Sequence, residues 1–172
     1  MLDVTVEGIK KQNAECKTNG ELGNFWNIVQ YLVSDGELIE GGDYKIQYCG
    51  KFKSDIIDAF WQSEHPVLFL QKTRIFNLYR KEGRMANEKV LPVDALKYYL
   101  QNSRAYLGEK VVRFDVYKKG VLQYDISKLG PGGSAPKLTM AQRAYCFDYE
   151  SLASAFGISL LSSADEPDDR PF

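Results

Sequence analysis

Lys97, Gln101, Asn102 and Arg104 share the outer arc of one amphipathic stretch, and all four side chains can hydrogen-bond the edges of nucleic-acid bases. Gln and Asn bond adenine through two contacts, and Arg or Lys bonds guanine in the same way. Upstream, Arg74, Arg80, Lys81 and Arg84 belong to a second amphipathic stretch. Downstream, Arg113, Lys118, Lys119 and Lys137 fall in and around an expected hairpin. Cations of that kind neutralise phosphates, which sets affinity and position without reading sequence. The chemistry on offer is noncovalent recognition of a polyanion. Any one of these residues also fits the solvated face of an ordinary helix; the group gains weight because charge and layout agree.

Catalytic constellations fare worse. His65 is the one histidine and stands before Pro66 with no Ser or Cys motif around it, so a surface or capping role is expected. Asp55, Asp58 and Glu64 share a neighbourhood, but carboxylates at that spacing read as a solvated face and not as a metal site. Asp125 and Lys128 do not reproduce the acidic pair and following lysine of a restriction-type nuclease. The run Gly130–Lys137 lacks the order of a phosphate-binding loop, because Leu138 follows the lysine where Ser or Thr is needed. Cys16, Cys49 and Cys146 are odd in number and widely spaced, which indicates free thiols in a reducing compartment. The expectation is no catalytic residue, no metal, no cofactor and no small-molecule substrate.

Net charge hides a strong segregation. The chain of 172 residues totals −1, yet residues 51–143 hold 17 Lys and Arg against 9 Asp and Glu. The flanks are acidic: −4 over residues 1–50 and −5 over 144–172. A basic middle between acidic ends fits a surface that meets nucleic acid. It also lets the tail around Asp165–Asp169 compete for that surface. With 44% hydrophobic and 13% aromatic residues the chain can fill a core, so global disorder is excluded. No apolar run approaches the roughly 18–20 residues that span a bilayer. No secretory signal is read at the start, so a cytoplasmic protein without membrane contact is expected.

The elements that must position these side chains follow from periodicity. A weak strand is expected at Asp3–Val6, a helix over Glu21–Val33 and a strand over Tyr44–Cys49. Ser54 or Asp55 opens an expected helix to Ser63, Pro66 interrupts it, and Val67–Glu82 forms the next. Pro92 starts a helix running to about Arg104. The period then drops to two: Val112–Val116, a Lys119-Gly120 turn, and Val121–Ile126. Thr139–Phe147 reads as a strand, Asp148 as the cap of a helix to Phe156, and Ser162–Phe172 as a frayed tail. The fold class is α+β, with a winged-helix-like core in which the 92–104 helix faces a groove and the hairpin tip meets phosphate. The domain reading is an acidic helix-strand extension over 1–50, a basic winged-helix-like domain over 51–160, and an acidic tail over 161–172.

The runs FNLYRKEGR, LPVDALKYYLQNSRAYLGEKVVRFDVYKKG and QRAYCFDYESLASAFGISL, with GNFWNIVQYLVSDGELIEGGDYKIQY upstream, carry a resemblance. Over roughly residues 24–160 the chain resembles the accessory C-terminal regions of primase-helicase replication proteins of phages and mobile elements. That resemblance implies a winged-helix-like module helping a replication enzyme hold DNA or a partner. The nucleotide loop and acidic metal cluster of such enzymes are absent, so the resemblance covers the accessory part alone. The functional expectation is a non-catalytic binder of single- or double-stranded DNA. The alternative is a protein-interaction module docking on a host or replication protein.

Overall fold

A computed structural model describes residues 20–85 and 90–160. The expected strand at Asp3–Val6, the tail Ser162–Phe172 and Cys16 lie outside the described residues. The first described element, α1 over residues 20–34, buries Leu22, Phe25, Trp26, Ile28, Val29 and Leu32, the stripe its spacing predicts. It stops at Gly36, whose φ of +81° suits the left-handed turn that ends a helix.

Four antiparallel strands form the sheet, in the order β1-β2-β6-β3: β1 is Tyr44–Lys53, β2 Asp58–Gln71, β3 Tyr106–Asp115 and β6 Thr139–Asp148. A small hairpin, β4 (Tyr117–Lys118) and β5 (Val121–Leu122), branches off between β3 and β6. Three further helices are α2 (Lys72–Met85), α3 (Val93–Gln101) and α4 (Tyr149–Phe156). The α+β class therefore holds. β1 continues across position 50 with a register shift between Cys49 and Lys51, and α1 shares one core with α2, α3 and α4.

The expected helix over 54–63 is not formed. Residues 54–57 make the β1–β2 turn, and the rest enters β2, where Lys51 faces Phe60 and Phe52 faces Ala59. Local helix propensity yields there to long-range pairing and to packing of Phe52 against Trp61 and Phe69. One consequence is that Phe60 is 71% exposed. The next expected helix starts late, at Lys72, because Val67–Leu70 belong to β2. All four of those residues are buried, Leu68 and Leu70 in one core and Val67 and Phe69 in the other. A strand covered on both faces shows a continuous apolar run and loses its period of two. Pro66 is accommodated where β2 pairs with β1 alone, before the β6 pairing begins at Val67.

The two cores lie on opposite faces of the sheet. Helices cover one face, where Trp26, Tyr79, Tyr145 and Phe147 pack. The other face is filled by Phe52, Val67, Phe69, Phe114, Ala144 and Cys146, closed over by the curl of the sheet itself. Both sheet edges are bridged. The Ser54 hydroxyl donates to the Leu107 carbonyl at 2.5 Å, and the Glu109 amide donates to Asp55 Oδ1 at 2.7 Å. At the far end the Asp115 amide donates to the Gly41 carbonyl at 2.8 Å, and Lys45 Nζ to the Arg113 carbonyl at 2.7 Å. Closing a sheet on its own edges removes unpaired strand groups.

Gly108 makes the closure possible. It occupies a register shift in β3, has φ +110°, and a Cβ there would strike Ser54, Asp55 and Ile56. Gly108→Ala is expected to cost about 2–4 kcal/mol in urea unfolding, from backbone strain plus collision. Gly50→Ala, at an ordinary φ with open space around it, should stay within about 1 kcal/mol. Equal midpoints for the two variants would contradict the closure.

Candidate nucleic-acid interface

The helix α2 turns Ile75, Phe76, Leu78, Tyr79 and Gly83 inward. Gly83 is buried because Val90 packs where its Cβ would stand, and the Tyr79 hydroxyl accepts from the Leu91 amide at 3.0 Å. These contacts hold Val90 and Leu91 against α2. Asn77, Arg80, Lys81, Arg84 and Met85 line an open groove of about 420 Å³. Spacings of three and four residues stack these side chains on one helical face.

The other basic side chains divide into committed and uncommitted. Lys72 and Arg143 both reach Glu109, at 3.1 and 3.3 Å. Arg74 pairs with Asp43 at 3.5 Å and Lys137 with Asp115 at 3.7 Å. Arg113 donates to Thr139, through Nε to the hydroxyl at 2.9 Å. Arg74, Arg113 and Lys137 are thereby gathered at the end of the sheet where Gly41 meets Asp115. By contrast, among the described residues no carboxylate lies within ion-pair distance of Arg80, Lys81 or Arg84. These three are the uncommitted cations of α2.

Of the four expected base readers, Lys97 is half-buried on α3, and Gln101 and Asn102 are exposed at its end. The helix stops at Gln101, short of the expected Arg104. Asn102 folds back, its Nδ2 donating to the Tyr98 carbonyl at 2.7 Å. The Ala105 carbonyl is taken by the Asp148 amide at 2.7 Å, which draws the chain into β3. A side chain bonding its own backbone competes with helix continuation. Arg104 is thus exposed in a turn and off the helical face. Pro92 likewise precedes α3 as its cap, at ψ 151°, with Val93 the first helical residue.

Lys118 and Lys119 are exposed at the β4–β5 tip. Lys119 and Gly120 have φ of +51° and +77°, the paired left-handed conformation of a two-residue hairpin turn. His65 bridges elements: its Nε2 lies 2.7 Å from Asp148 Oδ1, its ring stacks on Trp61, and Asp148 also caps α4 through the Ser151 amide. The thiols differ as well. Burial pushes the Cys146 thiol up to about 12, so it stays protonated within the concave core, while Cys49 is half-buried.

What the sequence reading missed is a row across the concave face. Asp43, Gln71, Phe114 and Gln142 come from four separate segments and meet at the open end of the sheet, with Tyr117 beside them. No local spacing carries that signal, because it depends on the register of four strands. Burial raises the Asp43 carboxyl above its ordinary value, against the pull of the Ile39 amide and Arg74. Burial also holds the Lys45 ammonium below its ordinary value, against the pull of Asp115.

Comparison of the chain with protein-family models, with curated proteins and with solved structures returns no match. No helix among the described residues is long and apolar enough to cross a membrane.

The division of cations is testable through stability. Arg80→Ala or Arg84→Ala should change unfolding free energy by no more than about 0.5 kcal/mol at pH 7. Arg74→Ala should cost about 0.5–1 kcal/mol, because it strips the counter-charge from a half-buried carboxylate. An aspartate whose pKa is raised by folding favours the folded state when protonated, and that contribution is lost as pH rises through the folded value. The Arg74→Ala cost should therefore shrink as pH falls towards the ordinary aspartate value of 3.8. A cost that is equal for all three variants, or independent of pH, would contradict the division.

Proposed function

We propose that this chain is a non-catalytic nucleic-acid-binding module that grips the phosphate backbone along α2. The observation that carries the reading is the groove at Asn77, Arg80, Lys81 and Arg84, whose three cations have no carboxylate partner among the described residues. Uncompensated cations on one helical face release counterions from a polyanion and bind it in a salt-dependent way. Exposed Lys118 and Lys119 at the hairpin tip add a second phosphate contact. In the winged-helix-like form of the proposal, α3 follows the strand with Lys97, Gln101, Asn102 and Arg104, and the β4–β5 tip acts as the wing. Two helices then precede the hairpin, α2 and α3. The resemblance to primase-helicase accessory regions supports placing the module in phage or mobile-element replication, working in the cytoplasm.

A second reading, docking on a replication or host protein, draws on a different feature. Val121, Tyr124, Ile126 and Leu129 are all more than half exposed on the segment that follows the hairpin tip. Apolar surface of that density is a common mark of protein contact. Salt separates the readings, since apolar docking loses little affinity where phosphate contacts lose much.

Fluorescence anisotropy with short single- and double-stranded DNA at several salt concentrations is the direct test. Arg80→Glu/Arg84→Glu should weaken binding at least about tenfold and flatten the log-affinity against log-salt slope by roughly 2. Lys97→Glu/Arg104→Glu should weaken it through α3. No binding of either DNA at low salt would overturn the proposal in favour of protein docking. The acidic tail gives a separate prediction: deleting 162–172 raises DNA affinity if the tail competes for the basic surface, and an unchanged affinity excludes that competition.

A further inference from the structure

The apolar filling of the concave sheet face stops at Phe114. Beside it the strands present carboxamides: Gln71 ends β2 opposite Ala144, and Gln142 lies opposite Val112, between Ala144 and Met140 on the same face of β6. Register puts them together, since Gln71 is opposite Ala144 and Phe114 is opposite Met140. The space between them is a cavity of about 170 Å³. That is well below the roughly 300–1,000 Å³ of sites for drug-sized molecules, so it admits one ring and not an extended ligand.

Tyr117 forms the outer wall of this cavity. Its ring lies against Gly42, where a Cβ would stand 2.6 Å from Cδ2, so the absence of a side chain at Gly42 sets the ring's position. The polar lining has spare capacity. No hydrogen bond is made by the Gln71 side chain among the described residues, and Gln142 Nε2 finds the Met140 sulfur at 2.8 Å, a weak acceptor. Half-buried amides with unmet donors and acceptors beside an aromatic ring are what unpaired bases are held by: stacking on the ring, edge bonding to the amides. With its Nε2 turned to Met140, Gln142 leaves its Oε1 as an acceptor, and an amide oxygen accepts from an exocyclic amino group such as that of cytosine. Asp115 at the same wall is held by Lys137 at 3.7 Å. Lys118 and Lys119 follow Tyr117 directly and are exposed.

We infer that this open end of the curled sheet, between Phe114, Tyr117, Gln71 and Gln142, holds one unpaired, amino-bearing nucleobase of a single strand. The inference rests on the nucleic-acid reading above for the strand, while the cavity itself can be probed by a free nucleotide. Two arms keep the failures apart. In the first, dCMP and dTMP are titrated into the full chain while the side-chain amide signals of Gln71 and Gln142 and the ring signals of Tyr117 are followed by NMR. In the second, anisotropy compares oligo-dC with oligo-dT on the native chain, Gln71→Ala, Gln142→Ala and Gly42→Ala, with thermal melts confirming that each variant is folded.

The expected result is that dCMP moves those signals and dTMP does so weakly. Gln142→Ala should lower oligo-dC affinity by about 5–10-fold and oligo-dT affinity by less than about twofold, with the salt slope unchanged. Gly42→Ala should act in the same direction by pushing the Tyr117 ring into the cavity. Unmoved signals with dCMP, or equal losses for dC and dT in the folded variants, overturn the inference. Shifts with dCMP but no binding of either oligonucleotide would support the base cavity while overturning the polyanion reading.

Discussion

The turn between β1 and β2 crosses to the far edge of the sheet and docks on β3, and this one contact shapes both faces of the molecule. It requires a position on β3 with no side chain and a left-handed backbone, which Gly108 supplies at a register shift. Ser54 and Asp55 then bond Leu107 and Glu109 in place of a neighbouring strand. With its edges drawn together, the sheet curls over Phe52, Phe69 and Phe114. Among the described residues, α1, α2, α3 and α4 pack on the opposite face. Dispersion and burial then hold the curl, as each buried aromatic contributes on the order of 2–3 kcal/mol.

The fold also sorts the charged residues. Strand register and packing bring carboxylates and cations within pairing distance, so that Asp43 takes up Arg74, Glu109 takes up Lys72 and Arg143, and Asp115 takes up Lys137. The outer half of α2 projects away from those pairs. Among the described residues Arg80, Lys81 and Arg84 there have no carboxylate within ion-pair distance, and on the proposed reading their field is what a polyanion meets. A net charge of −1 for the whole chain is compatible with this, because segregation and not the total sets what a polyanion meets.

Legibility in the sequence followed the range of the interactions. Elements that depend on local signals were readable: the apolar stripe of α1, the Asp148 cap and Gly157 stop of α4, and the Lys119-Gly120 turn. Arg80 and Lys81 on the outer face of α2 were readable for the same reason, whereas Arg84 joins them because the helix continues past the expected stop at Glu82–Gly83 to Met85. The 54–71 region misled because its two strands are stabilised from a distance. Val67–Leu70 lost its alternation through burial on both faces, and the segment before it is helical in pattern until β1 and Phe52 are present. The row of Asp43, Gln71, Phe114 and Gln142 was beyond reach for a stricter reason: nothing within any one segment marks it. The fate of Arg74, Arg113 and Lys137 was equally hidden, since their partners are remote in sequence or sit on another strand.

The central claim is that polyanion contact falls on the outer half of α2. The most direct measurement is NMR of the arginine Nε–H signals of the full chain, with a short single-stranded oligonucleotide added at low salt. Arg80 and Arg84 should shift strongly and reverse on raising the salt, while Arg74, held by Asp43, should shift little. Unmoved Arg80 and Arg84 signals under saturating oligonucleotide, or shifts confined to other arginines, would contradict the account.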